Sequence, residues 1–230
     1  MTKFAQRIVA TAFVALLSIT ATTPAFAAEK KPNDPTKWEK DIQKFEAADK
    51  TNPPPRNANL FIGSSSIRLW KTLAQDFPDF KVINRGFGGS EIEDANYYFD
   101  RIVTPYHPKK IVMYSGGNDI NAGKTPERVF ADFTNFVAKA DKALPKTRIA
   151  YISISPNPAR WSQLERINAA NKLIEDFCKT NPKLTFLNMF PKMLGPDGKP
   201  KPDIFVSDKL HMNPKGYAIW TPVVREFLEK

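Results

Sequence analysis

The sequence predicts an α/β domain, a five-stranded parallel sheet with helices on both faces. Two observations carry this. Five short runs, at 59–62, 81–84, 110–114, 148–152 and 184–187, are mostly continuous apolar stretches rather than alternating ones, the pattern of strands buried on both faces. Segments with apolar residues at helical spacing separate them. Strand–helix–strand alternation builds parallel sheets, because each crossover helix returns the chain to start the next strand in the same direction. Neither an internal repeat nor a linker divides the chain, so these elements read as one domain.

The first 27 residues lie outside that domain. Lys3 and Arg7 make a positive front, residues 8–19 are apolar and uncharged, and Ala25-Phe26-Ala27 has small residues at both ends of an A-x-A cleavage site. This is the three-part layout of a secretory signal peptide, and its apolar run is shorter than the roughly 20 residues that a membrane span needs. The chain is therefore expected to be exported, to the periplasm or the medium, and to start at Ala28 when mature. No stable membrane insertion is expected after cleavage. What remains, about 200 residues, suits one domain with a substantial core. Residues 28–57 are expected to form a leader and a helix, and 58–230 the main domain.

Taken in order, a polar, proline-containing stretch over 28–36 reads as a mobile leader. Trp38, Ile42 and Phe45 then recur at helical spacing, so a helix is expected over about 36–49. Asn52-Pro53-Pro54-Pro55 ends it, since proline lacks the N–H and forces its predecessor into an extended shape. After the first strand a helix is expected through Leu69 and Trp70, and after the second a helix over about 91–102. Beyond the third strand Thr125-Pro126-Glu127 opens the next helix. There a capping side chain precedes a proline whose missing N–H costs nothing at the first helical position. The fourth strand leads to a helix over about 160–179. Cys178, the sole cysteine, shares helical spacing there with Leu173, Ile174 and Phe177 and is expected to be a buried thiol without a disulfide partner. A Gly/Pro-rich loop at 195–202 follows the fifth strand, and Asn213-Pro214 caps the last helix.

The formal net charge is +10, and +8 once Lys3 and Arg7 are removed. A basic surface favours contact with anionic polymers or lipid head groups, but an exported chain with no nucleic-acid-reading motif is not expected to bind nucleic acid.

In parallel sheets, ligands bind beyond the carboxyl ends of the strands. Four segments fall there or follow late in the chain: Gly63-Ser64-Ser65-Ser66, Asn84-Arg85-Gly86-Phe87-Gly88-Gly89, Gly116-Gly117-Asn118-Asp119 and Asp208-Lys209-Leu210-His211. Taken singly, each is an ordinary cap or turn sequence. Together they hold the parts of ester hydrolysis. A serine hydroxyl is a weak nucleophile until a base takes its proton, imidazole suits that task near neutral pH, and a carboxylate orients the imidazole. Donors must then receive the oxyanion. Asp208 and His211, three apart, would share one face of a helical turn. Gly89 offers a backbone N–H and Asn118 a side-chain amide. The other histidine, His107, precedes the third strand and so belongs to the opposite end of the sheet.

Competing schemes fit poorly. Ile67 stands where a G-x-S-x-G elbow needs its last glycine, and Glu91 where G-x-G-x-x-G needs its third. Two histidines in unrelated settings make neither H-E-x-x-H nor a zinc cluster.

The four segments, in this order and over nearly the whole mature chain, resemble the sequence blocks of the SGNH (GDSL-like) hydrolases. Phe61-Ile62-Gly63-Ser64-Ser65-Ser66 resembles the nucleophile block, Asn84-x-Gly86-x-Gly88-Gly89 and Gly116-x-Asn118-Asp119 the two oxyanion blocks, and Asp208-x-x-His211 the last. The resemblance implies a flavodoxin-like three-layer α/β/α fold and no metal or other cofactor. It also implies hydrolysis of carboxylic esters or thioesters with Ser65 as nucleophile, His211 as base and Asp208 as its orienter. The oxyanion hole would be formed by Ser65, Gly89 and Asn118. Two departures stand out: Ser64 occupies the place of the usual aspartate, and Ser90 a place where an acid is common. The family spans lipases, lysophospholipases, thioesterases and carbohydrate deacetylases. For this chain a short acyl ester on a small molecule, polysaccharide or lipid is the expected substrate. The alternatives are longer-chain lysophospholipase or thioesterase activity, or a non-catalytic carbohydrate-binding protein on the same scaffold. Residues 155–161 follow the fourth strand, and Asn157, Arg160 and Trp161 are expected to line the substrate's acyl or alcohol side.

Overall fold

The structure, a computed structural model, describes residues 33–230. The expected signal peptide, and the leader up to residue 32, lie outside the described residues. From residue 33 the leader is pinned rather than mobile. Asn33 Nδ2 donates to Asp94 Oδ1 at 2.6 Å, and the Asp34 carboxylate caps a 3-10 turn over Pro35–Trp38. Trp38 Nε1 donates to Asp94 Oδ2 at 2.9 Å, and its ring packs edge-on against Phe87.

The elements alternate as the apolar runs require. Helix α1 (Glu39–Thr51) precedes strand β1 (Asn59–Gly63). Short helices α2 (Ser65–Arg68) and α3 (Leu73–Asp76) lead to β2 (Val82–Gly86). Helices α4 (Ile92–Tyr97) and α5 (Phe99–Ile102) lead to β3 (Lys110–Tyr114). Then come α6 (Gly117–Ala122), α7 (Pro126–Ala143), β4 (Arg148–Ile152), α8 (Leu164–Lys179), β5 (Leu184–Leu187) and α9 (Pro214–Glu229). All strand pairs are parallel, in the order β2-β1-β3-β4-β5.

Several boundaries differ from expectation for local reasons. The helix expected through Trp70 stops at Arg68. That expected over about 91–102 is two helices, broken at Tyr98 (φ −91°, ψ 9°). The helix expected from about 160 begins as a 3-10 stretch, Pro158–Gln163, interrupted by Arg160 (φ −123°, ψ 22°). The caps hold: Thr125 accepts from Arg128 N–H, and Asn213 from the N–H groups of Lys215 and Gly216.

Successive strand residues point to opposite faces. Leu60, Ile62, Ile111, Met113, Ile149 and Tyr151 face one core, which they share with Ile42, Phe99, Phe133 and Ile174 from the helices on that side. Phe61, Val112, Ala150 and Ile152 face the other, with Trp70, Phe77, Tyr217 and Trp220. This is the three-layer arrangement. Helix α1 belongs to the first layer, since Ile42 is fully buried there. Cys178 is a buried free thiol in the same core, and burial pushes its pKa up to about 12. Lys110 is buried at the start of β3, where its ammonium donates to the carbonyls of Phe227 and Leu228 at 2.9 and 2.8 Å. These are last-turn carbonyls that α9 cannot satisfy internally.

Strand order reverses around β1. Its end pairs Gly63 with Gly86 on one side and Tyr114 on the other. Gly63 has φ 141°, and a Cβ there would lie 1.9 Å from the Tyr114 carbonyl oxygen. Only glycine permits both that conformation and that approach. Gly63→Ala should therefore lower stability by about 2–5 kcal/mol, combining overpacking with backbone strain. Urea unfolding checks this, and a midpoint equal to that of wild type would show that β1 and β3 part more easily than their spacing implies.

Candidate active site

Beyond Gly63 the chain leaves the sheet. Ser64 N–H donates to the Tyr114 carbonyl at 3.1 Å, and the Ser64 carbonyl accepts from Ile67 and Arg68. Ser65 thus takes the first position of α2, where its own N–H has no helical acceptor. Its side chain stands at the mouth of the crevice between the ends of β1 and β3.

The partner comes from far along the chain. His211 Nε2 lies 2.8 Å from Ser65 Oγ, across 146 residues of sequence. His211 Nδ1 lies 2.6 Å from Asp208 Oδ2. The Asp208–His211 spacing achieves this differently from the helical turn expected. Lys209 is left-handed (φ 58°), and Asp208 Oδ1 accepts from the N–H groups of Leu210 and His211 at 2.8 and 2.9 Å. The aspartate side chain therefore folds its own loop and leaves its second oxygen for the imidazole. An antiparallel bridge between Phe205 and Met212 and the Val206 N–H to His211 carbonyl bond hold the loop at its base. Partial burial raises the Asp208 pKa, but hydrogen bonds from the His211 N–H, its ring and the Leu210 N–H outweigh this and lower it to about 2.

On the opposite side, the turn after β2 presents Gly89 to solvent, and no acceptor within the described residues takes its N–H. Asn118 follows Gly116, which turns the chain out of β3 at φ 100°. Asn118 Nδ2 donates to the Ser90 carbonyl at 3.0 Å, and a Cβ on Gly89 would lie 3.7 Å from the same nitrogen. Asp119, fully buried, accepts from Ile92 N–H at 3.1 Å, so the two loops are tied twice. Burial raises the Asp119 pKa to about 7, against the pull of Lys124. Lys124 gathers Glu91, Glu93, Asp119 and Asp132 around its ammonium.

A cleft joins these parts. Ser64, Ser65, Ser66, Asn118, Asn157, Arg160 and His211 supply its polar wall, and Tyr114, Ile154, Ile167 and Leu210 its apolar one. Its enclosed volume is about 20 Å³. Asn157 and Arg160, from the loop after β4, are among the residues lining it. Trp161 does not line the cleft. It is half-buried one residue further along, past the break in the 3-10 stretch at Arg160. His107, with left-handed backbone, lines a groove with Lys109 and Lys146 at the amino ends of the strands. Among the described residues no group of three His, Cys, Asp or Glu side chains could hold a metal ion. Tyr114, Ile154, Ile167 and Leu210 were not foreseen as cleft residues: their sequence signal is that of core positions.

Known proteins share this sequence pattern and fold. Residues 63–219 match the model of the GDSL-like lipase/acylhydrolase family. No curated protein sequence matches the chain. Among solved structures, a Streptococcus pneumonia protein provisionally assigned as a platelet activating factor is 19% identical with a TM-score of 0.74, over 84% of this chain and 94% of the other. A GDSL-like lipase from Bacteroides thetaiotaomicron is 20% identical with a TM-score of 0.68, over 82% and 97%. A catalytic mutant of an acetylxylan esterase from Geobacillus stearothermophilus is 12% identical with a TM-score of 0.58, over 74% and 93%. At such identities these structures attest the fold.

Of the three consecutive serines, only Ser65 meets the imidazole. A fluorophosphonate, which reacts with serines activated by a neighbouring base, should label the wild type, Ser64→Ala and Ser66→Ala but not Ser65→Ala. Mass spectrometry of the labelled peptide checks this, and adduct on Ser64 or Ser66 would reassign the reactive hydroxyl.

Proposed function

Since the chain belongs to the GDSL-like lipase/acylhydrolase family, we propose that it is an exported serine esterase acting on short acyl esters through Ser65, His211 and Asp208. The observation that carries the mechanism is the 2.8 Å contact between Ser65 Oγ and His211 Nε2.

The steps follow from the contacts. Ser65 Oγ attacks the ester carbonyl carbon as His211 Nε2 takes its proton. Asp208, ionised and bonded to Nδ1, stabilises the imidazolium. The carbonyl oxygen becomes an oxyanion facing the N–H groups of Ser65 and Gly89 and the Asn118 amide, donors already in place before charge develops. Collapse expels the alcohol, which receives the proton from His211. Water, deprotonated by the same imidazole, then attacks the acyl-enzyme and releases the acid and free Ser65.

A short acyl group is supported by the narrowness of the cleft, whose volume of about 20 Å³ is the scale of one water-sized group. Export rests on the charge–apolar–A-x-A layout of residues 1–27, and with it a substrate of the cell envelope or medium. An acetylxylan esterase with the same fold is consistent with acetylated carbohydrate as that substrate.

Two measurements test this. Acetyl and butyryl p-nitrophenyl esters should be hydrolysed with higher kcat/KM than esters of about ten carbons or more. A preference for the long chains, which gain about 0.8 kcal/mol per buried CH₂, would indicate a lipase whose acyl groove opens beyond the cleft.

The second concerns pH. Asp208, with its pKa lowered to about 2, stays ionised well below the roughly 3.9 of a free aspartate. Its contribution to stability is present above that free value and is lost only as pH falls through about 2. A fall of activity in mild acid should therefore not report protonation of Asp208. His107→Ala should leave this acid limb in place. Ser65→Ala and His211→Ala should each lose about 10³-fold or more, the double variant little more, and Asp208→Ala less than either. An acid limb that disappears with His107→Ala would overturn the assignment of the base.

A further inference from the structure

Among the described residues lining the cleft, Arg160 alone carries a permanent charge. No carboxylate of the described residues pairs with it, and its one side-chain hydrogen bond runs from Nη2 to Asn118 Oδ1 at 2.9 Å. Its Nη1 lies against Gly117, where a Cβ would come within 3.3 Å, so the absence of a side chain at 117 lets the guanidinium lie along the backbone beside Asn118. The Asn157 carboxamide accepts from Arg160 N–H at 3.0 Å and fixes the backbone from which the side chain reaches across.

This contact bears on the oxyanion donor. A side-chain amide can turn over and exchange its oxygen and nitrogen, and only one orientation offers N–H groups to an oxyanion. Two bonds select that orientation here: Oδ1 accepts from Arg160, and Nδ2 donates to the Ser90 carbonyl at 3.0 Å. Turned over, the amide would set NH₂ against guanidinium and oxygen against a carbonyl oxygen. One Nδ2 hydrogen remains for substrate. A cation on the amide oxygen also draws electron density from the nitrogen, so the remaining N–H becomes a stronger donor.

Resting on the esterase reading, we infer that Arg160 is a positioning residue of the oxyanion hole: it locks the Asn118 amide with its N–H toward the reacting carbonyl and places a fixed positive charge one amide away from the oxyanion. It acts through Asn118 and not on the substrate's acyl or alcohol group.

The test uses the full mature chain and p-nitrophenyl acetate, a neutral ester. Arg160→Met should lower kcat about 10–100-fold with KM within about twofold, because the loss falls on the transition state. Arg160→Lys, which can still donate to Oδ1, should recover part of that loss. Asn118→Ala should lower kcat about 10²–10³-fold, and Asn118→Ala/Arg160→Met should match Asn118→Ala alone, since without the amide there is nothing to orient. Thermal melts of each variant identify any loss through unfolding, and if the Met variant is unfolded the Lys variant and its double with Asn118→Ala carry the cycle. Losses that multiply in the double variant would overturn the inference. So would an Arg160 variant with wild-type kcat but raised KM for esters bearing a carboxylate, which would make Arg160 a substrate-binding group. If the wild type hydrolyses no ester and takes no fluorophosphonate, the esterase reading itself fails, an outcome distinct from an active wild type indifferent to Arg160.

Discussion

The closeness of β1 to β3 at their carboxyl ends is the constraint on which the crevice depends. Gly63 lies opposite Tyr114, and the Tyr114 carbonyl occupies the space a side chain at 63 would need. That same carbonyl accepts from Ser64 N–H, so the chain must turn out of the sheet just there. On the neighbouring strand, Gly116 makes the matching exit in a left-handed conformation. Two parallel strands in register thus release their chains at one level. The residues that follow, Ser65 and Asn118, face a common space. Parallel pairing supplies the common level and the glycines supply the sharp turns.

His211 has no strand to hold it and depends on packing further back. Trp70, just after α2, stacks on Tyr217 of α9 with ring centroids 5.1 Å apart, and Tyr217 Oη donates to the Ser66 carbonyl at 2.8 Å. The helix carrying Ser65 and the helix following His211 are therefore joined through buried aromatic surface. Asn213 closes the remaining gap: its carboxamide caps α9 and donates to the carbonyls of Asp203 and Phe205. Few free torsions remain between Tyr217 and the imidazole, and the 2.8 Å contact across 146 residues is held without any element running between them.

Strand positions were readable because a short apolar run without alternation, flanked by turn residues, suits a strand covered on both faces. The ends of the last three strands were readable too, but those of the first two ran on to Gly63 and Gly86, which belong to strands by pairing, and periodicity says nothing of partners. The breaks at Tyr98 and Arg160 were hidden as well, since neither residue strongly disfavours helix. At the site, the motif positions were visible by family resemblance, yet the geometry behind one of them differs from expectation. Asp208 and His211 meet through an aspartate-folded turn with a left-handed Lys209, which a spacing of three does not distinguish from a helical turn. Arg160 was visible only as a residue of the loop after β4. Its bond to Asn118 spans 42 residues and leaves no local pattern. Trp161 beside it has the more suggestive side chain for a binding loop and is not among the residues lining the cleft.

Charge balance gives these placements a common logic. Asp208 stands behind His211 on one side of the site, and Arg160 lies against Asn118 on the other. In the proposed reaction, proton transfer and attack would create a new pair, an imidazolium against Asp208 and an oxyanion against the amide that contacts Arg160. The sum of these charges would stay at zero, so the proposed transition state would need no counterion from solvent. Asp119, which stands behind the oxyanion loops, would upset this balance as a free carboxylate. Its burial raises its pKa and Lys124 lies against it, so its negative charge is suppressed or paired. What the carboxylate keeps in either protonation state is its bond to Ile92 N–H, which ties the Gly89 turn to Asn118. The same residue can therefore stiffen the proposed oxyanion hole without opposing the charge that would form in it.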